Sequence, residues 1–302
     1  MKNTLKKIFF LIIFIYPAIV FSQDNNPSPF DLYGPPNTFT YTDIKSAIKE
    51  CNNVYKLNLT NQTIDPKWFS KIGKLKNVEV FTLGFNGFTQ LPDDFSKLEN
   101  LVYFSTIGNP LVTLPSDIGN CSGLMEVNLS QTNLDSLPVN IAYWQRLENF
   151  SIQDNKADTL KLPNNIGYLS SLKSLSISNS PLDTLPRSIG FLQKLQTLSL
   201  IACKLKILPK ALGKIKTLQT LELDNNDLTK LPESIYHMHN LQYLSLRNNH
   251  FTALPDEICF MKNLTTLDLR GNYFSEYSIE ILKALLPKCT IMYDYKGHPQ
   301  QD

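Results

Sequence analysis

The chain has 302 residues, with 29 Lys+Arg against 27 Asp+Glu and a formal net charge of +2. This balance argues against a nucleic-acid binder, which carries a basic excess or stripe, and against a polybasic membrane-surface protein. A content of 42% hydrophobic and 19% charged residues argues against a chain disordered throughout, and 46 Leu and 28 Asn against 12 Gly point to an internal repeat.

At the N-terminus, Lys2, Lys6 and Lys7 precede a nearly unbroken apolar run from Ile8 to Phe21. Val20 and Ser22 suit the −3 and −1 positions of a leader-peptidase site. Residues 1–22 are expected to be a signal peptide cleaved before Gln23. The protein would then be secreted, periplasmic or at the cell surface. No Cys stands near residue 22 for bacterial lipidation. The rival reading is a retained anchor, but an apolar run of about 14 residues is short of the ~20 that a spanning helix needs. No transmembrane span is expected once the leader is gone. Its removal takes away three Lys and no acid, leaving 26 basic and 27 acidic residues and a net charge of −1.

Residues 23–41, rich in Pro and Asn, read as a linker lying on or beside the domain. Residues 42–53 are expected to form an N-terminal cap helix started by Thr42, with Ile44, Ala47, Ile48 and Cys51 at helical spacing.

From Val54 the chain repeats the pattern L-x-x-L-x-L-x-x-N-x-L-x-x-L-P-x-x-I-x-x-L. Copies begin at Val54, Val78, Leu101, Leu124, Leu147, Leu172, Leu195, Leu218, Leu241 and Leu264, at intervals of 23 to 25 residues. The first half puts apolar side chains inward on a short strand. The Asn position can pair the main-chain groups that the following turn exposes, because buried backbone polar groups need partners. Thr132, Ser180 and Cys203 depart from Asn there, and Cys is only a weak donor. Trp144 replaces the last Leu of its copy and is expected to fill core.

Over residues 42–295 the sequence resembles the leucine-rich repeat family, in its 23-residue form and as secreted bacterial members carry it. The resemblance implies an α/β fold: a right-handed solenoid, or horseshoe, with a parallel concave sheet, about ten repeats over residues 54–274 and helical caps. Residues 275–302 are expected to hold the C-terminal cap and tail. There Ser275 caps a helix carrying Ile279, Leu282, Leu285 and Leu286, ended by Pro287 and followed by an edge strand Cys289–Tyr293. With nine residues after Tyr293, no C-terminal catalytic or sorting domain is expected.

Leader removal leaves five Cys. Stacked strands about 4.8 Å apart keep cysteines of distant repeats outside disulfide reach, and Cys259 with Cys289 is read as lying in non-adjacent turns, so five free thiols are expected. His237 and His239 lack two further ligands for zinc. Asp154, Asn155 and Asp158, in the 25-residue copy, lack the bidentate acid of a calcium loop. No nucleophile elbow, P-loop or dinucleotide fingerprint is present. No catalytic residue, metal or cofactor is expected, and no enzyme.

Positions 3, 5 and 7 of each copy point outward on the concave sheet, with 2 and 8 at its margins. Position 5 is a small polar stripe suited to solvent or an adaptable partner. Two places depart from it. Val80, Phe85, Val102, Tyr103, Ile107 and Met125 form an apolar and aromatic cluster expected to be exposed, as interaction patches are. Tyr243, Arg247 and Arg270 lie beside Glu222, Asp224 and Asp268, where binding and cross-strand charge pairing are both open. Members of the family mostly mediate protein interactions, so the resemblance implies a non-catalytic scaffold that recognises a protein or peptide ligand, and no nucleic acid, through the concave face. Alternatives are an intracellular regulator of a Ras-like GTPase and an envelope or adhesion protein. Ligand identity and oligomeric state are left open.

Overall fold

A computed structural model describes residues 28–294; the expected signal peptide, residues 1–22, lies outside them. Twelve parallel strands form one sheet in chain order. They are β1 (Thr40–Tyr41), β2 (Lys56–Asn58), β3 (Val80–Thr82), β4 (Tyr103–Ser105), β5 (Glu126–Asn128), β6 (Asn149–Gln153), β7 (Ser174–Ser178), β8 (Thr197–Ile201), β9 (Thr220–Glu222), β10 (Tyr243–Ser245), β11 (Thr266–Asp268) and β12 (Thr290–Met292). The register is strict. Leu57, Phe81, Phe104, Val127 and Phe150 stand side by side, and Leu175 through Leu267 continue the row. The family's solenoid is therefore the fold.

The Leu-Pro half of each copy turns the chain back on the convex side. Pro92, Pro138, Pro186, Pro209, Pro232 and Pro255 each start a single 3-10 turn, the place where a fixed φ and a missing N–H are harmless. The Ile or Leu two residues into the turn, such as Ile141, Ile189 and Ile235, is fully buried. Successive turns stack so closely that a Cβ on Gly167 would overlap the Ser188 carbonyl oxygen. Trp144 fills core as expected, and its ring N–H donates to the Ile118 carbonyl at 3.1 Å.

The Asn row works as the spacing predicted. Asn226 Nδ2 donates to the carbonyls of Leu200 (2.7 Å) and Leu223 (2.9 Å), and its Oδ1 accepts from the Cys203 and Leu205 N–H groups at 3.1 and 3.0 Å. Cys203, in place of the amide, makes weaker sulfur contacts, 3.3 and 3.5 Å to the Ile177 and Ile201 carbonyls. Asn155, considered above as part of a calcium loop, belongs to this row: its Oδ1 accepts from the Leu134 N–H at 2.8 Å.

Helices lie at both ends of the described array. Helix α1 (Pro29–Leu32) precedes β1, and α2 (Ile44–Lys49) buries Ile44, Ala47 and Ile48. The residue that starts α2 is Asp43, not Thr42: the Asp43 carboxylate accepts from the Ser46 N–H at 2.7 Å, and an ionised acceptor is the better partner at a helix start. A third short helix, α3 (Pro66–Phe69), precedes the 3-10 turn Ile72–Lys74 in the first copy. Helix α4 (Glu276–Leu285) is started by Ser275, which accepts from the Ser278 N–H at 3.1 Å. Cys259 and Cys289 are not in distant turns, because both line one cavity of about 210 Å³ under the end of α4; their thiols are free. No described helix is long and apolar enough to cross a membrane.

Candidate binding surface

The concave face is built from three columns of side chains, because alternate residues of a strand point the same way. Seven of the ten position-5 residues, Ser105, Ser151, Ser176, Ser199, Glu222, Ser245 and Asp268, are buried, and Asn58, Thr82 and Asn128 are partly so. The stripe is therefore not the solvent-facing surface its composition implied. Parallel neighbours stand shoulder to shoulder about 4.8 Å apart, and the columns at positions 3 and 7 flank the middle one.

Toward the N-terminal end, exposure differs from the sequence expectation. Val80 is fully buried and Tyr103 only 7% exposed. The segment expected to be a linker lies across them. Tyr33 stacks on Tyr103 with ring centroids 5.9 Å apart, and its hydroxyl donates to Glu126 Oε2 at 3.1 Å. Lys56 Nζ donates to the Phe30 carbonyl at 2.6 Å. Val102, Ile107 and Met125 are partly covered, and Phe85 alone of the six is well exposed, at 50%. Position 8, which Phe85 occupies, is left-handed in copy after copy: Asn61, Gln131, Asp154, Asn179, Asn225 and Asn248 all have positive φ. Asn and Gly tolerate that region and a bulky ring does not. Phe85 nonetheless holds φ 55°. Its ring is seated over Gly108, where any Cβ would collide with it.

Toward the C-terminal end, β9 to β11 bring the charged residues together. Asp268 is 1% exposed and grips Arg270 at both oxygens, with Nε to Oδ1 at 2.9 Å and Nη2 to Oδ2 at 2.6 Å. Arg247 Nε lies 3.8 Å from the same carboxylate. Both guanidinium groups face solvent while their counter-ion does not. Asp224 is held by hydrogen bonds, from the Ser245 hydroxyl and from the Arg247 N–H at 3.0 Å. Burial pushes the Glu222 and Asp224 carboxyls above the usual range, partly opposed by hydrogen bonds from Ser199 and Ser245. Burial likewise raises the Tyr243 hydroxyl, which stands at position 3 between these groups. Charge pairing and a presented surface thus coexist: the acids form a desolvated floor, and Tyr243, Arg247 and Arg270 stand on it.

The convex face carries a second feature that the pattern reading passed over. Tyr143, Tyr168 and Phe191 occupy one position of three successive copies and are all well exposed, with Tyr168 and Phe191 stacked at 6.5 Å. Reading the convex column as the concave ones were read would have found them. His237 is stacked on Phe260 at 6.2 Å, and no cluster of three potential metal ligands occurs among the described residues.

Residues 161–242 match a family model described as a leucine-rich repeat region, and residues 216–274 match one described as a leucine rich repeat. No curated protein matches the chain in sequence. Among solved structures, the chain is similar to the plant peptide hormone receptor RGFR1 in complex with RGF2, with TM-score 0.65 and 25% identity over 82% of this chain and 41% of the receptor chain. It is similar to a TDR receptor, with TM-score 0.67 and 25% identity over 82% of this chain and 44% of that one. The chain thus spans less than half the length of either. An internalin from Listeria monocytogenes shares the fold, with TM-score 0.63 and 17% identity over 86% of this chain and 79% of that chain.

Proposed function

The chain is a leucine-rich-repeat protein, and from that premise we propose that it is an exported, non-catalytic scaffold that binds a protein or peptide through its concave face. The observation that carries this reading is the cluster on β9 to β11. Arg and Tyr are the residue types that dominate binding energy at interfaces, and here Arg270 is held by the buried Asp268 carboxylate, with Arg247 3.8 Å from the same group and Tyr243 beside them. A guanidinium whose carboxylate partner is fixed beneath it loses little conformational freedom when a ligand arrives. The similarity to a receptor solved in complex with RGF2 supports the same use of the fold, although a fold does not by itself set a function. Export rests on the composition of residues 1–22.

The test is capture of the native partner by the exported chain and by two sets of variants. Tyr243→Ala and Arg247→Glu should each weaken capture about thirtyfold or more, the size of an interface hot spot. Tyr168→Ala on the convex face should leave it unchanged. Loss of capture by Tyr168→Ala with full capture by the concave variants would move the binding site off the concave sheet. Chain recovered only inside the cell would remove export.

A further inference from the structure

The N-terminal end of the concave face already holds a peptide, the chain's own residues 29–34. Its contacts fall on one row. Lys56, Val80, Tyr103 and Glu126 are register neighbours on β2 to β5, a run of about 14 Å at the usual strand spacing. The segment crosses the strands there, as a ligand would. Lys56 takes a main-chain carbonyl, Tyr103 takes an aromatic ring, and Glu126 takes that ring's hydroxyl.

The two sides of this contact are unequal. All four sheet residues are buried beneath the segment, whereas α1 buries none of its own. The floor's positions are set by strand pairing; the segment is laid on top. It is shaped mainly by itself, since Ser28 and Asp31 close α1 through hydrogen bonds of 2.8 and 3.1 Å. Gly34, at φ 76°, Pro35, Pro36 and Asn37, at φ 62°, lead from it to β1, and the Thr38 hydroxyl closes this turn by donating to the Pro35 carbonyl at 2.8 Å. Gly34 also comes close to Lys56, where a Cβ would stand 2.8 Å from Cε.

We propose that Lys56, Val80, Tyr103 and Glu126 form a peptide subsite and that residues 29–34 are its displaceable resident. The ligand it fits is a partner segment that forms a single helical turn, as α1 does, with a tyrosine three residues after an accepting main-chain carbonyl, the spacing of Phe30 and Tyr33. The proposal rests on the concave face being the binding face, and it adds a second contact region and the chemistry of what fills it. A partner must either compete with the resident or bind beyond it.

The probe is a synthetic peptide of residues 28–36, labelled for fluorescence anisotropy and added to the full chain. Tyr33→Ala empties the subsite of its ring while leaving the floor intact. It should bind the peptide at least about tenfold more tightly than the unaltered chain, since a resident closed nine-tenths of the time lowers apparent affinity by that factor. A peptide with Phe in place of its Tyr should bind the variant about tenfold more weakly, because it cannot donate to the Glu126 carboxylate. Equal binding to both chains, or to neither, would overturn the proposal. Hydrogen exchange on the unaltered chain gives a reading that needs no variant. Residues 30–34 should exchange at least about a hundredfold faster than β6 to β8 if they open without the array unfolding, and equal protection would make the segment a fixed part of the fold. Neither measurement uses the native partner, so its failure is distinct from failure of the capture test at β9 to β11.

Discussion

Replacing Asn226 by Ala tests the element that makes the repeat cohere. The Asn226 amide makes five hydrogen bonds, three from Nδ2 to the carbonyls of Leu200, Leu223 and Asp224 and two to Oδ1 from the Cys203 and Leu205 N–H groups. Its residue is 4% exposed, so water does not reach these groups freely. The carbonyls keep a second lone pair for other donors, but the two N–H groups lose their acceptor. An unmade hydrogen bond at a buried donor costs about 1–3 kcal/mol. Two of them, partly relieved if one water enters the space left by the amide, give a loss of about 2–5 kcal/mol for Asn226→Ala. Urea unfolding followed by circular dichroism reads this directly. Asn240→Ala is the control, because its exposed amide makes one bond, to the Lys216 carbonyl at 2.8 Å, and should cost under about 1 kcal/mol. If Asn226→Ala loses no more than Asn240→Ala, the row does not hold the turns together and the account of the repeat's Asn is wrong.

Two other outcomes follow from packing. Gly167→Ala should lower stability by more than about 2 kcal/mol, since its Cβ meets the neighbouring turn's carbonyl. Gly87→Ala has open space around it but φ 73°, and should cost only about 1 kcal/mol of backbone strain; equal melting temperatures for the two would discount the stacking argument. The cysteines divide by burial. Cys121 and Cys203 are buried, which pushes their thiols up to about 12, and partial burial raises Cys289 to about 11. A disulfide reagent at neutral pH should label at most Cys51, Cys259 and Cys289 in the native chain and five thiols in denaturant. A fourth native thiol would contradict the packing, and fewer than five in denaturant would reveal a disulfide.

The fold could be read from the sequence because the information is local and recurs. Each copy states again which side chains turn inward, so Leu57, Phe150 and Leu244 are placed without knowing anything beyond their own repeat. The same holds for the Asn row, for Trp144 and for Ser275 at the start of α4. Burial on the concave face was less legible, for two physical reasons. Outward direction does not ensure exposure, and Ser199 or Asp268 points out of the core yet is buried. Tyr33 on Tyr103 is a contact between residues 70 positions apart in sequence, made by a segment with no periodicity, and spacing arithmetic describes only neighbours. The grouping of Tyr243, Arg247 and Arg270 over acidic residues was legible; the bidentate grip of Asp268 on Arg270, and Arg247 standing off at a greater distance, were not. Cys259 and Cys289 were misplaced because α4 interrupts the 23-residue count between them.

The strands are stacked in chain order, none out of sequence. Free energy in such an array is a sum over links and the junctions between them, so the protein behaves more like a row of coupled units than like a globule with a single melting point. The subsite floor at β2 to β5 and the charged cluster at β9 to β11 are separated by β6, β7 and β8, whose outward residues are almost all Ser, Thr, Asn or Gln. Either end can therefore loosen while the other keeps its shape. A partner that grips both would tie the ends of the row together, and the tightening would be felt most by the three strands it hardly touches.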